Sequence, residues 1–223
     1  NGDTTPEPNE TFLVNLSNAS NAIISDGQGV GTILNDDTTN AYRDLILSDS
    51  PAGYWRLGEP SGPTANDSSG NHLNGTYAGG VTLGVGGAIK LDVDTAAVFN
   101  SSTGHVAVAH HSLLQPSTIT VEAWIRPDAS TQDYDSVLMK STSNNWNDGY
   151  GVYYVGGTIN FFVNHYASAK VDAAVPLNTW THVVGTYDGS NLRLFINGAE
   201  ADVLAYSTPI NQSTFDLFIG RGA

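Results

Sequence analysis

Two stretches carry residue types and spacings able to do chemistry. In Ser141-Thr142-Ser143-Asn144-Asn145-Trp146-Asn147-Asp148-Gly149-Tyr150 an indole stands in a polar loop, where it has little reason to sit unless it contacts something. Sugars present apolar C–H faces ringed by hydroxyls, and ligand sites pair apolar walls with a few convergent polar groups. Trp146, Asn147, Asp148 and Tyr150, joined by His165 and Tyr166, are therefore candidate saccharide contacts; the alternative, that Trp146 caps one end of the fold, stays open at this point. In the second stretch, Asp67-Ser68-Ser69-Gly70-Asn71-His72-Leu73-Asn74-Gly75, a turn-forming loop exposes carbonyls and offers one carboxylate. Hard oxygens of this kind suit Ca²⁺, so Asp67 and Asn71 are candidate calcium ligands beside the plainer reading of a polar turn.

Other chemistries lack their residues. There is no Cys, which removes disulfides, thiolate zinc sites and Cys nucleophiles together. Neither a G-x-S-x-G elbow nor an H-E-x-x-H helix is present. His110 and His111 are adjacent, and adjacent residues on a strand point to opposite faces, a poor arrangement for a metal. The net charge of -14, from 8 Lys and Arg against 22 Asp and Glu in 223 residues, opposes the attraction on which nucleic-acid binding depends. No apolar run approaches the roughly 18 residues of a spanning helix, so membrane insertion is not expected. The start at Asn1-Gly2-Asp3 carries no targeting pattern, which fits a mature or excised segment as well as a cytosolic chain.

The elements that must position these residues are strands. Helical periodicity is nearly absent, and short β-branched and aromatic runs recur between turn residues. Residues 151–164 read as a hairpin turning at Gly156-Gly157, and Leu192 to Leu204 as a second turning at Asn197-Gly198, the strongest short-range hairpin signal. Further strands are expected at 12–16, 29–34, 52–57, 96–99, 105–109, 119–126, 136–140, 181–187 and 216–219. Trp55, Trp124 and Trp180 are expected in the core. The fold class is all-β: a two-sheet antiparallel jelly-roll sandwich with a short N-terminal β segment from a second sandwich. Composition shifts at residues 35–40, which divides the chain into residues 1–37, a linker at 38–41 and a jelly roll at 42–223.

Two families are visible in these motifs. Gly2-Asp3-Thr4-Thr5-Pro6-Glu7-Pro8-Asn9-Glu10-Thr11-Phe12-Leu13-Val14-Asn15-Leu16, followed by Gly29-Val30-Gly31-Thr32-Ile33-Leu34-Asn35-Asp36-Asp37, resembles the C-terminal part of a Calx-beta domain. That resemblance implies calcium held by Asp3, Glu7, Glu10, Asp36 and Asp37, with Asn35 where an acid is often found. From Tyr42 onward, Gly53-Tyr54-Trp55-Arg56-Leu57, the Asp67 loop, Val121-Glu122-Ala123-Trp124-Ile125, Trp180-Thr181-His182-Val183-Val184 and Phe195-Ile196-Asn197-Gly198 follow in order. This resembles the laminin G-like jelly rolls of the concanavalin A-like lectin and glucanase superfamily. The pattern stops at Phe218-Ile219-Gly220-Arg221, where the family continues with a closing strand.

The resemblance implies an extracellular or cell-surface module, part of a larger bacterial surface or secreted protein, that binds a polysaccharide or glycan or serves adhesion with calcium as its ion. Enzymes of this fold use alternating acids such as Glu-x-Asp-x-x-Glu, and retaining hydrolysis needs two carboxylates about 5 Å apart. Glu122 stands alone and Glu200-Ala201-Asp202 lacks a third acid, so no enzyme is expected. The alternative function is a structural subunit of an extracellular fibre, its open edges completed by strands from neighbouring copies or other domains of the parent protein.

Overall fold

The computed structural model describes residues 10–21, 23–33, 41–89, 92, 94–100, 102–142 and 145–222. Its contacts divide the chain into two units, Asn1–Asp49 with Ile89–Val93, and Ser50–Ala88 with Asp94–Ala223. In the first unit β1 (Glu10–Asn15) and β2 (Gln28–Ile33) form an antiparallel ribbon, with Glu10 opposite Ile33. A helix follows, α1 (Ala41–Ser48), which the sequence reading had not anticipated. At eight residues it is too short to show a helical period, and its Leu45-Ile46-Leu47 run suits a buried strand as well as a helix turn.

The second unit is built from β3 (Thr64–Ala65), β4 (Gly75–Ala78), β5 (Val81–Gly86), β6 (Thr95–Phe99), β7 (His105–Val108), β8 (Ile119–Ile125) and β9 (Ser136–Lys140). It continues through β10 (Tyr150–Val155), β11 (Thr158–Val163), β12 (Lys170–Ala174), β13 (Thr181–Tyr187), β14 (Asn191–Ile196), β15 (Ala199–Ala205) and β16 (Leu217–Ile219). One sheet has the order β12-β11-β10-β9-β16-β7-β4-β3, a second β15-β14-β13-β8, and β5 with β6 forms a separate ribbon. Every pairing is antiparallel, as expected of a jelly-roll sandwich.

Both expected hairpins form. Gly156 and Gly157 have φ of 58° and 84°, and Asn197 and Gly198 have 51° and 82°. Positive φ at both central residues gives the primed turn whose twist matches the flanking strands. The expected strand at 52–57 does not form: only Trp55 bridges to Asp67, and Leu57 turns to a φ of 60°. The Asp67 carboxylate takes the Tyr54 N–H, and the Trp55 indole donates to the Leu73 carbonyl, so this segment is held by side chains in place of a ladder.

The main core lies between the two large sheets. Val183 and Tyr187 of β13 and Leu192 and Leu194 of β14 meet Val152 of β10 and Ile159, Phe161 and Val163 of β11. Gly185 completes the fit, because a Cβ there would stand 2.4 Å from the Phe161 ring. A neighbouring cluster gathers Val106, Val108, Leu114 and Leu217, with Trp55 packed against it. The three tryptophans expected in the core are only half-buried: Trp124 stacks on His182, and Trp180 lies under Arg126.

Strand alternation sends every second residue of β11 the other way. Phe162 is nevertheless fully buried, as are Tyr153 of β10 and Met139 of β9. The outer face of the eight-stranded sheet therefore carries a second buried layer, which explains why 150–155 and 158–163 are buried almost without interruption while β13 alternates.

Candidate functional site

Met139, Tyr153 and Phe162 form the floor of this outer layer, and Trp146 and Tyr166 pack on it from the loops. The Trp146 indole lies parallel to Phe162, with centroids 6.3 Å apart and planes at 11°. Tyr166 meets Trp146 edge-on at 5.6 Å, and Tyr134 meets it at 6.1 Å. Tyr134 also stacks on Tyr153 at 6.1 Å and leaves 41% of its surface in solvent. The outcome is an aromatic platform rooted in buried rings.

The platform is positioned by strained loops. Trp146 has φ of 42° and Tyr134 of 70°, a region that costs non-glycine residues about 1–3 kcal/mol each. Hydrogen bonds offset that cost. Tyr134 N–H donates to Tyr154 O at 2.7 Å, Tyr153 Oη to Tyr166 O at 2.8 Å, and Tyr166 N–H to Trp146 O at 3.3 Å. Asp148 closes the loop on itself: its Oδ1 accepts from Ser141 Oγ at 2.8 Å and from Thr142 N–H at 2.7 Å.

At the loop's root Lys140 is fully buried. Its ammonium donates to the carbonyls of Ser213 and Phe215 and lies 3.0 Å from His110 Nδ1. Burial lowers its pKa, against the opposing pull of Asp216 and Asp148. Lys140 thereby ties segment 213–215 to the end of β9, from which the Trp146 loop leaves.

Beside Trp146 lies a cavity of about 50 Å³, bordered by Ser136, Met139, Ser141, Phe218 and Arg221. The Arg221 guanidinium sits 4.3 Å over the Phe218 ring, and the Arg221 carbonyl accepts from Ser136 N–H and Oγ at 2.8 and 2.9 Å. Arg221, Tyr134 and the two serines were absent from the sequence-derived site. Tyr134 had a usable signal, an aromatic between acids in Asp133-Tyr134-Asp135, whereas nothing near Arg221 in sequence marks it.

Residues 100–223 match the laminin G-type family described as the concanavalin A-like lectin/glucanases superfamily. The chain belongs to this superfamily. Among solved structures it is similar to the binding domain of botulinum neurotoxin DC in complex with SialylT, at 19% identity and a TM-score of 0.57, over 78% of this chain and 44% of that one. It is also similar to domain 4 of an extracellular arabinanase from Geobacillus stearothermophilus in complex with arabinotriose, at 17% identity and a TM-score of 0.50, over 70% of this chain and 78% of that one. The chain spans less than half the length of the toxin domains it matches. No curated protein matches it.

Within this superfamily sandwich the expected saccharide contacts separate. Trp146 does not cap an end of the sandwich; it covers the outer sheet face. Tyr166 joins it, and His165 stacks on Tyr166 at 5.6 Å with its Nδ1 accepting from Ala167 N–H. Asn147 is exposed beside Trp146. Asp148 belongs to the loop's internal bonding. Tyr150 is a correction: it points to the opposite face, is 3% exposed in the main core and donates its hydroxyl to Leu114 O at 3.1 Å. Being first in β10, it has the parity of Val152 and not of Tyr153, which a β-bulge at Val152/Tyr153 separates.

The expected calcium loop is tied by its own hydrogen bonds. Asp67, 8% exposed, accepts at Oδ1 from Tyr54 and Ser69 N–H and at Oδ2 from Ser69 Oγ and Leu73 N–H, all at 2.8–2.9 Å. Burial pushes this carboxyl up, and the hydrogen bonds from Tyr54, Ser69 and Leu73 outweigh it and hold the pKa below its ordinary value. Asn71 turns its amide N–H groups toward the Pro51 and Ala52 carbonyls. Donors thus already face both oxygens of the one carboxylate the loop offers, and an ion bound there would have to displace them. Among the described residues no group of three His, Asp or Glu is placed to hold a metal. Asp3, Glu7, Asp36 and Asp37 lie outside the described residues, and Glu10 is exposed at the start of β1.

Proposed function

We propose that the chain is a non-catalytic carbohydrate-binding module of a larger extracellular or surface protein, and that the glycan packs against Trp146, Tyr134 and Tyr166. The observation that carries this reading is the partly exposed aromatic platform, held on positive-φ loops over buried Phe162 and Tyr153. Pre-organised rings lose little entropy when an apolar sugar face settles on them. Two similar folds, a toxin binding domain with SialylT and an arabinanase domain with arabinotriose, are consistent with it.

Catalysis is not part of this reading. Glu122 pairs with His182 at 2.9 Å and Glu200 with Arg193 at 2.7 Å, while Asp148 is engaged by its own loop. No motion of these pairs is needed for a platform to bind. Calcium belongs to the proposal only through the N-terminal acids Asp3, Glu7, Glu10, Asp36 and Asp37, on the strength of their sequence pattern. Attachment of the parent protein to a glycan-coated surface is the role this implies.

The test is a glycan array probed with wild type and Trp146→Ala. Selective binding to one saccharide class, lost in the variant while the fold is kept, is the expected result. Absence of any glycan binding, or binding that ignores the substitution, overturns the reading.

A further inference from the structure

Arg221 stands apart from most cations of this acidic chain. Arg43, Arg56, Lys170 and Arg193 each face a carboxylate at 2.5–2.7 Å. Lys140 is buried against carbonyl oxygens. Among the described residues Arg126 and Arg221 make no ion pair, each lying over an aromatic ring, Trp180 and Phe218. Of these two, Arg221 borders the cavity beside Trp146.

The two hydroxyls of that cavity are already committed. Ser136 Oγ donates to the Arg221 carbonyl and Ser141 Oγ donates to Asp148. Their protons point into the protein, and Arg221 is the one cationic residue among those that line the cavity. A guanidinium offers its N–H groups as a planar fork that matches an anion with two oxygens. A cavity of about 50 Å³ is far below the roughly 300–1,000 Å³ of whole-ligand pockets. It has room for a substituent of a few atoms and not for a pyranose ring.

We propose that the saccharide is anionic: its carboxylate or sulfate enters this cavity and binds Arg221, while the ring rests on the exposed edge of Trp146. This rests on the binding-module reading and names the ligand class. A net charge of -14 repels an anion in general, so recognition depends on this one local cation. The low dielectric beside Phe218 and Met139 strengthens the contact.

The experiment measures affinity by calorimetry for matched pairs: sialyllactose against lactose, trigalacturonate against its methyl ester, and a sulfated galactose oligomer against the desulfated one. The pairs separate the sources of the charge. The charged member of at least one pair is expected to bind about tenfold or more tighter, as a charge-assisted hydrogen bond predicts. Arg221→Gln erases that difference, Arg221→Lys keeps part of it, and added salt weakens only the charged member. The salt response needs no variant, so a misfolded Arg221→Gln leaves the proposal testable. Equal binding of charged and uncharged members, both lost in Trp146→Ala, overturns the anionic ligand and leaves the binding module standing. No binding to any member overturns the anionic ligand, and the glycan array then decides whether the binding module falls with it.

Discussion

The Trp146 indole and the Phe162 ring lie parallel, 6.3 Å apart, although one belongs to a loop and the other to the centre of a sheet. Phe162 is fully buried, with Trp146 of the loop packed over it beside Met139 and Tyr153. The strained backbone at Trp146 is stabilised by the apolar area it covers, since burying an aromatic ring is worth about 1.5–3 kcal/mol against a strain of about 1–3 kcal/mol. Binding surface and folding core are thus the same cluster, with a wet edge and a dry floor.

Trp146→Ala and Phe162→Ala should therefore differ. Phe162→Ala opens a cavity in a fully buried position and is expected to cost about 3–5 kcal/mol. Trp146→Ala removes a half-buried ring and costs less, yet abolishes glycan binding. Denaturant melts read beside binding isotherms check this, and equal destabilisation by the two would contradict the layered arrangement.

Asp148→Ala should loosen the loop without touching the sandwich. It deletes the acceptor of Ser141 Oγ and Thr142 N–H, at about 1 kcal/mol each. Affinity is expected to fall roughly tenfold while the main-core protection seen by hydrogen exchange is unchanged. Faster exchange confined to the loop after Lys140 is the accompanying signature.

Tyr150→Phe tests the reassignment of that residue to the core. It leaves the Leu114 carbonyl without its partner and is expected to lower stability by about 1–3 kcal/mol, with glycan affinity unaltered. A loss of affinity exceeding the loss of stability would return Tyr150 to the site.

Asp67 should show itself in acid. Its folded-state pKa is depressed below the unfolded value, so its contribution is present at neutral pH and is lost as pH falls below the ordinary aspartate value toward the lower folded-state one. Asp67→Asn is expected to be less stable at neutral pH, because an amide N–H would face the Leu73 N–H or Ser69 donors, and the gap to wild type should narrow on acidification. Thermal melts across that range measure it. Calcium titrations of wild type and Asp67→Asn should superimpose; a weaker isotherm in the variant would reinstate the loop as an ion site.

Strands and turns with local signals were legible in the residues alone. Asn197-Gly198 and Gly156-Gly157 adopt positive φ in the two hairpins, and alternation in 181–187 dictates which face of β13 is buried. Laminin G-like motifs were legible for the same reason: each is a short contiguous run, on a strand as at Val121–Ile125 or in a side-chain-bonded loop as at Asp67. Trp146 and Tyr166 were legible as aromatics out of place in polar loops. Which residues meet is settled by folding alone. Arg221, Ser136 and Trp146 come from three segments separated by up to 85 positions, as Ser136 and Arg221 show, and no local pattern encodes that contact. The face on which Tyr150 lands depends on the β10 register against β9 and β11, set by the pairing of whole strands. Likewise the Asp67 loop reads as an ion site in sequence, since its oxygens are visible there; the N–H groups that already face them arrive from Tyr54 and Leu73, and only folding brings these to the carboxylate.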